Sequence, residues 1–403
     1  MALSTHQRRD LRLLTAFRGI SFVGDAVALV TLYLRLAHHG SGWSIAALSV
    51  AGALPLVIWA PLAGFVVDRV NAKSFLCALG LLEAAICVAL GYWHSSFATI
   101  ALMALLTSAV AFSSPGYAAL VPFVAGEENV AHAQSMVQSI QGVALAGGPV
   151  IGGLLVAAIG TSGPLYVDGA SFAAAALATL ALHTDRRPAP RPESEHEPHR
   201  LSAGFRLVGR DPILRSLVVT FVTILLCIGA INVVEVFFIT RSLHGSALDY
   251  GLVGASFGAG TIGGALYARR LSQDPNSLLR TTLVNVFVVS LLLGTVGLCE
   301  HVGYVFPLMV AMGLVVGVIN VAGTTLFTVR TPESLRGRVF AATGALFTSA
   351  ELSSAVLGGL LVSVVAPRTV FFLAGGFSVV AVGAVASREL RRSRGGDAVA
   401  TAA

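Results

Sequence analysis

The chain has 403 residues, 55% hydrophobic and only 11% charged, with a mean hydropathy of +0.82. Soluble domains carry about 25% charged residues, so the composition excludes a water-soluble globule, and long apolar runs without strict alternation exclude a β-barrel in favour of membrane helices. The net charge of +6 and the pI near 9.5 do not indicate a nucleic-acid partner, because the basic residues are scattered through short connections, where they report membrane orientation.

Taken in chain order, apolar runs predict spans over Leu14–Ala37, Trp43–Val67, Ser74–Trp93, Phe97–Val121, Val130–Ile159 and Pro164–His183. After a polar break, a second set follows over Leu214–Thr240, Leu248–Ala268, Leu278–Glu300, Gly303–Thr325, Val339–Val365 and Arg368–Ser387. Each approaches or exceeds the roughly 20 residues that carry a helix across about 30 Å of hydrocarbon. The expected fold is therefore an all-α membrane protein with twelve transmembrane helices in two six-helix bundles, residues 1–183 and 214–387, joined by a cytoplasmic linker, 184–213, and followed by a cytoplasmic tail, 388–403.

With the N-terminus inside, all 26 basic residues except Arg18, Arg35, Arg241 and Arg368 fall in cytoplasmic segments, which places both termini in the cytoplasm. The linker, with Pro188, Pro190, Pro192 and Pro198 among alternating Arg and Glu, lacks apolar periodicity until Phe205 and reads as flexible. An amphipathic turn or two over Leu201–Val208 is expected to lie on the inner membrane surface. Ala26-Val27-Ala28 imitates a cleavage site, but the apolar run continues past it, so the first helix is expected to stay in the mature protein.

Between the second and third spans lies Gly64-Phe65-Val66-Val67-Asp68-Arg69-Val70-Asn71-Ala72-Lys73. As a very short hairpin it has a plain reading: Gly64 for close helix approach, Asn71 for a left-handed turn residue, Asp68 for helix-end N–H groups. Echoes in the second half suggest a duplicated unit. Gly64 and Arg69 recur as Gly264 and Arg269, with Ala268 in place of Asp68, and Gly152-Gly153-Leu154-Leu155-Val156 recurs as Gly358-Gly359-Leu360-Leu361-Val362. Parallel repeats of this kind build alternating-access transporters.

The same loop is similar to the signature between helices 2 and 3 of the major facilitator superfamily, and the resemblance covers nearly the whole chain. Gly64, Asp68, Arg69 and Lys73 match the signature, while Val66, Asn71 and Ala72 depart from it. Ser21-Phe22-Val23-Gly24-Asp25, Ala118-Ala119-Leu120-Val121-Pro122, Val167-Asp168-Gly169-Ala170-Ser171-Phe172 and Leu335-Arg336-Gly337-Arg338-Val339-Phe340 resemble its enterobactin-exporter-like and macrolide-efflux-like branch. Gly148-Pro149-Val150-Ile151-Gly152-Gly153 looks like the core of the family's antiporter motif, although Ala144 replaces an expected glycine. The arginine that many drug/proton antiporters carry in the fourth span is missing here. The resemblance implies export across the cytoplasmic membrane, and a gating role for Gly64, Asp68, Arg69 and Lys73.

An ionisable residue inside a span costs several kcal/mol unless solvated, paired or protonated, so each is a functional candidate. Asp25 lies about 11 residues into its span, roughly 16 Å at 1.5 Å per residue, close to the midplane. Glu351 is similarly deep and Glu235 lies farther out; the resemblance puts all three spans around a central cavity. These three are the candidate proton carriers. For Asp25 the alternative is a fixed ion pair or a helix cap, with Arg18, two turns away, as one partner. Glu83 and Asp168 read as structural.

Gln134, Gln138 and Gln141 fall on one helix face at i, i+4 and i+7, which suits either a polar substrate cavity or a helix contact. Tyr117, Asn232, Asn320, Thr324 and Ser353 are further candidate lining residues. Four single cysteines and the loop histidines give no metal-ligand spacing, so neither metal nor cofactor is expected. The absence of HExxH and of any soluble catalytic domain argues against an enzyme. The expected protein is a monomeric exporter of amphipathic small molecules such as antibiotics or secondary metabolites, by proton antiport; siderophore export and a non-transporting membrane sensor are the alternatives.

Overall fold

A computed structural model describes residues 5–39, 41–67, 69–125, 130–182, 199–268, 270–271 and 274–400. These residues are helical, joined by short turns, and divide into two compact units: Met1–Glu193 with His244–Ala255, and Ser194–Leu243 with Ser256–Ala403.

The first unit holds α1 (Thr5–His39), α2 (Gly42–Val67), α3 (Ala72–Tyr92), α4 (Ser96–Ala125), α5 (Val130–Ile159) and α6 (Gly163–Leu180), and the second α7 (His199–Arg210), α8 (Pro212–Phe237), α10 (Pro275–Val296), α11 (Val302–Arg330), α12 (Glu333–Val364) and α13 (Pro367–Ala400). The intervening α9 (Ala247–Ala268) contributes to both, and a π-helical turn, Phe238–Ser242, ends α8. Among the described residues ten helices are long and apolar enough to cross a membrane, so this is a multi-pass membrane protein. Helices α6 and α9 fall outside those ten, α6 diluted by Pro164, Asp168 and Ser171 and α9 by its glycines.

The packing bears out the duplication. In the first unit α1 packs on α5 and α6, α3 on α6 and α4, and α2 on α4. In the second unit α8 packs on α12 and α13, and α10 on α13 and α11, the same neighbours one unit later. Its core gathers Leu214, Leu217, Leu278, Leu326 and Phe327, onto which α7 folds Val208. The amphipathic segment expected before the second bundle is thus the helix α7, docked through Leu207 and Val208 while Phe205 and Arg206 stay exposed.

Helix starts follow from local chemistry. The Asp211 carboxylate accepts the N–H groups of Ile213 at 2.8 Å and Leu214 at 3.1 Å, and Asp274 accepts that of Ser277 at 2.9 Å. Each cap is followed by a proline whose missing N–H costs nothing at the first helical position, and each cap contributes about 1 kcal/mol. Asp211 is also ion-paired with Arg330 at 3.3 Å, tying the start of α8 to the end of α11. The segment expected as a C-terminal tail continues α13 through Ala400, because Arg388, Glu389, Leu390, Arg391 and Arg392 are good helix formers.

Two expectations for the opening hairpin are corrected. Asn71 is not left-handed: at φ −67° and ψ 118° it is the N-cap of α3, and its side chain accepts the Ser74 N–H at 3.1 Å. Nor does Gly64 bring helices together, since a Cβ there would meet nothing within 4 Å. The close approach occurs at its echo instead. A Cβ on Gly264 would overlap the Leu314 carbonyl of α11, and Gly317 faces the Thr261 carbonyl in the same way.

Arg35, one of the four basic residues expected outside the cytoplasmic segments, is buried in α1 with 3% of its surface exposed. Its guanidinium donates to the carbonyls of Leu90 at 2.6 Å and Thr161 at 2.7 Å, and more weakly to that of Trp93 at 3.4 Å. One side chain thereby satisfies the C-terminal carbonyls of α3 and the turn between α5 and α6, where positive charge complements the helix dipole. Arg35→Ala is expected to destabilise the first unit by on the order of 3 kcal/mol, with Arg35→Lys recovering only part of it for want of the forked donors. Thermal unfolding in detergent, followed through thiol labelling of the buried cysteines Cys77, Cys87, Cys227 and Cys299, measures this; an unchanged midpoint for Arg35→Ala would remove its clamping role.

Candidate functional site

The candidate site is built on one face of α1. Arg18 and Asp25 are seven residues apart, two turns, and therefore lie on the same side of the helix. Asp25 is half-buried, and Glu83 of α3 is buried with 1% exposure. Asp168 of α6 is fully buried. Arg18 is within electrostatic reach of Asp25 and of Glu83, and Asp25 is within reach of Glu83 and Asp168. Two carboxyls, Asp25 and Glu83, are thus within reach of one guanidinium inside the first unit, and Asp168 joins them through Asp25 and Glu83.

Their surroundings differ. Glu83 accepts a hydrogen bond from Ser113 Oγ at 2.7 Å, linking α3 to α4. Asp168 accepts from Ser171 Oγ at 3.3 Å and from Cys87 Sγ at 3.5 Å. Its carboxylate lies directly over Gly24 of α1, where any Cβ would collide with Asp168 Oδ1, so glycine is required beside Asp25. Glu83 and Asp168 are thus hydrogen-bonded into the bundle, as their structural reading expects. Asp25 makes no hydrogen bond or ion pair among the described residues, and the fixed Arg18–Asp25 ion pair is not formed.

Arg18 instead stacks on aromatic rings, its guanidinium 4.5 Å from the centre of Phe22 and 4.8 Å from that of Tyr117. It lines a cavity of about 150 Å³ between α1, α4 and α5 together with Ser114, Tyr117 and Gln141. Two residues named from sequence, Tyr117 and Gln141, are brought together here. Gln134 and Gln138 fall on α5, but their side chains lie outside the described residues. Tyr117 is also held by its hydroxyl, 3.4 Å from Thr179 Oγ1. Arg18, weighed in the sequence as an intramembrane charge and as a partner for Asp25, was not named among the lining residues; the signal for it was an arginine inside a span, on the Asp25 face.

A second cavity, of about 780 Å³, lies between α1, α5 and α6, walled by Ile20, Val23, Val143, Ile151 and Val167. Ile20, Val143 and Val167 are more than half exposed, so this wall is open and apolar, with Asp168 and Ser171 also among its lining residues.

In the second unit the candidates are dispersed. Glu235, near the end of α8, is half-buried without a hydrogen-bond or ion-pair partner among the described residues. Glu351 on α12 is exposed. Asn232, Asn320, Thr324 and Ser353 are exposed as well. Thr324 and Ser353 turn their hydroxyls back to helix carbonyls, those of Asn320 at 2.7 Å and Ser349 at 2.8 Å, a common resting place for such groups.

Of the hairpin residues, Asp68 lies outside the described residues, as does Arg269 in its echo. Arg69 folds over its own helix, stacking 3.4 Å from the Phe65 ring centre and donating to the Phe65 carbonyl at 3.3 Å. Lys73 donates to the Leu182 carbonyl just beyond the end of α6, so it fastens the start of α3 to the α6 terminus.

Comparison with known proteins places this architecture. The profile of the Major Facilitator Superfamily matches residues 14–352 and again 226–401. The multidrug efflux pump Tap of Mycolicibacterium fortuitum is 26% identical over 374 residues, covering 89% of this chain and 90% of that protein. Macrolide efflux protein A of Streptococcus pyogenes is 22% identical over 373 residues, covering 88% and 91%. Among solved structures, that of the nucleoside transporter NupG superposes with a TM-score of 0.70 at 15% identity, over 94% of this chain and 98% of that one, a likeness of fold. The family match extends over most of the chain, and with it the duplicated packing finds its explanation: the chain belongs to the Major Facilitator Superfamily.

Proposed function

We propose that the protein is a secondary active exporter of amphipathic small molecules, such as drugs, antibiotics or secondary metabolites, working in the cytoplasmic membrane by alternating access and driven by proton antiport. In this reading α6 and α9 join the ten apolar helices to give twelve spans, both termini are cytoplasmic, and a monomer suffices. Relatives that are drug and macrolide efflux proteins support the substrate class.

The observation that carries the reading is Asp25. It is a carboxyl deep in an apolar bundle, without a hydrogen bond or ion pair among the described residues and beside two further carboxyls. Three ionised carboxylates against a single guanidinium would leave a net negative charge within hydrocarbon, which costs several kcal/mol. The cluster relieves that cost by holding a proton, and Asp25 is the member free to exchange it, because Glu83 and Asp168 are occupied by Ser113 and by Ser171 and Cys87. A proton taken from outside and released inside, alternating with substrate at the same charge, gives antiport. Glu235 and Glu351 serve as secondary carriers in the second unit. Gly64, Asp68, Arg69 and Lys73 form the gate, with Lys73 anchoring the hairpin so that the acidic half can move.

In inverted vesicles with an imposed pH gradient, Asp25→Asn is expected to lower gradient-driven drug uptake about 100-fold, and Glu351→Gln to lower it less. Full gradient-driven transport by Asp25→Asn would end its assignment as proton carrier.

Asp68→Asn is expected to lower the maximal transport rate about tenfold while leaving half-saturation near the wild-type value, because a gate sets turnover rather than affinity. The reverse pattern, normal rate with weakened half-saturation, would make the hairpin a binding element.

A further inference from the structure

Arg18 is a charged side chain within a membrane-spanning helix, yet it has no hydrogen-bond or ion-pair partner among the described residues. A guanidinium carries five N–H donors, and leaving them unmatched in an apolar bundle is costly. Phe22 and Tyr117 cover its faces, which leaves the donor edge for the small cavity it shares with Ser114, Tyr117 and Gln141. The charged and titratable groups around it are Asp25 on α1 and Glu83 on α3, both within electrostatic reach and neither in contact, and Tyr117 on α4; α5 presents the neutral Gln141. A guanidinium edge with hydroxyl and amide neighbours in a cup of about 150 Å³ matches a carboxylate in size, charge and donor geometry.

We propose that the Arg18 cup is the subsite for an acidic group of the substrate, and that the transported molecules are zwitterionic amphiphiles whose acid sits on Arg18 while their ammonium displaces the proton at Asp25. This deepens the exporter reading above and rests on it. The two ends are set by α1 itself: seven residues at 1.5 Å per residue separate the charges by about 10 Å along the helix. A purely anionic substrate would be repelled by Asp25 and Glu83 unless they were protonated, and so would bind together with protons; a purely cationic one would leave Arg18 unmatched. A zwitterion satisfies both ends and still exchanges for a proton.

The test uses the full-length protein in nanodiscs with three dansyl amphiphiles of one scaffold: a zwitterion with its ammonium and carboxylate about 10 Å apart, its methyl ester, and its N-acetyl derivative. Binding is read from dansyl fluorescence. The wild type is expected to bind the zwitterion at least about tenfold more tightly than either derivative, the size of one charge-assisted contact. Arg18→Gln is expected to bring zwitterion and ester to equal affinity, Asp25→Asn to bring zwitterion and N-acetyl derivative to equal affinity, and Arg18→Lys to retain part of the preference. Thermal unfolding of each variant checks that it is folded. Equal affinity of the wild type for all three probes, or a zwitterion preference that survives Arg18→Gln, overturns the proposal. Gradient-driven drug transport by the wild type in either case leaves the exporter reading standing, and its absence removes that reading separately.

Discussion

Burying charge in an apolar bundle is the constraint on which this structure turns. Each ionised group inside a span costs several kcal/mol unless something offsets it, and the first unit offsets its groups in different ways. Arg35 is saturated by main-chain carbonyls at the ends of helices. Glu83 has a serine, and Asp168 a serine and a thiol above a glycine that exists to admit it. Among the described charged residues inside the spans of this unit, Asp25 and Arg18 are left without a hydrogen-bond or ion-pair partner, and they share one face of α1. A group that a fold satisfies completely is held still; a group that it leaves waiting is one that a ligand or a proton can complete. The satisfied charges hold the bundle together, and the unsatisfied ones are where exchange with the outside can occur.

The two units repeat their neighbour pattern but not their chemistry. Helices α1 and α8 each pack on the fifth and sixth helices of their unit, and α3 and α10 each on the fourth and sixth. Backbone packing of small residues can be duplicated intact, as at Gly264 against Leu314, because it depends only on shape. Polar groups diverge freely once one copy suffices. The opening hairpin illustrates the split: its glycine is open at Gly64 and tightly packed at Gly264, so the N-terminal copy has been released from the structural task that its echo still performs.

Helices were legible because a span needs only length and apolarity, and their ends drifted where polar residues also favour helix. The run expected over Phe97–Val121 is α4 over Ser96–Ala125, a small shift. By contrast α1 begins at Thr5 and α13 continues to Ala400, because arginine, leucine and alanine extend a helix beyond the hydrocarbon. The site was legible one residue at a time, since a lone acid in a span stands out. What could not be read was the meeting of Asp25, Glu83 and Asp168, which lie on three helices far apart in the chain, or the choice Arg18 makes between an acid and two aromatic rings. Those are decided by how helices rotate on packing, and no one-dimensional periodicity records the rotation of one helix against another. Lys73 shows the same limit: matched to a gating signature, it is also a tie to the end of α6.

The asymmetry between units bears on how transport is divided. The second unit has carboxyls at Glu235 and Glu351, and the basic residues of its described helices lie near the ends of its apolar spans or beyond them: Arg241 at the end of α8's π turn over Phe237, Arg330 at the end of α11, Arg368 at the start of α13 donating to the Cys299 carbonyl at 3.0 Å. A carboxyl alone in hydrocarbon can be made neutral by a proton, whereas a guanidinium cannot shed its charge at any accessible pH. The intramembrane carboxyls of the second unit can therefore rest neutral when it is empty. The first unit cannot be neutralised in this way: Arg18 keeps its charge in every state, so some negative group must answer it throughout the cycle, whether Asp25, Glu83 or a group brought by the substrate. Under the proposed proton antiport, that obligation, present in one unit and absent from the other, makes this face of α1 the place where proton and substrate compete.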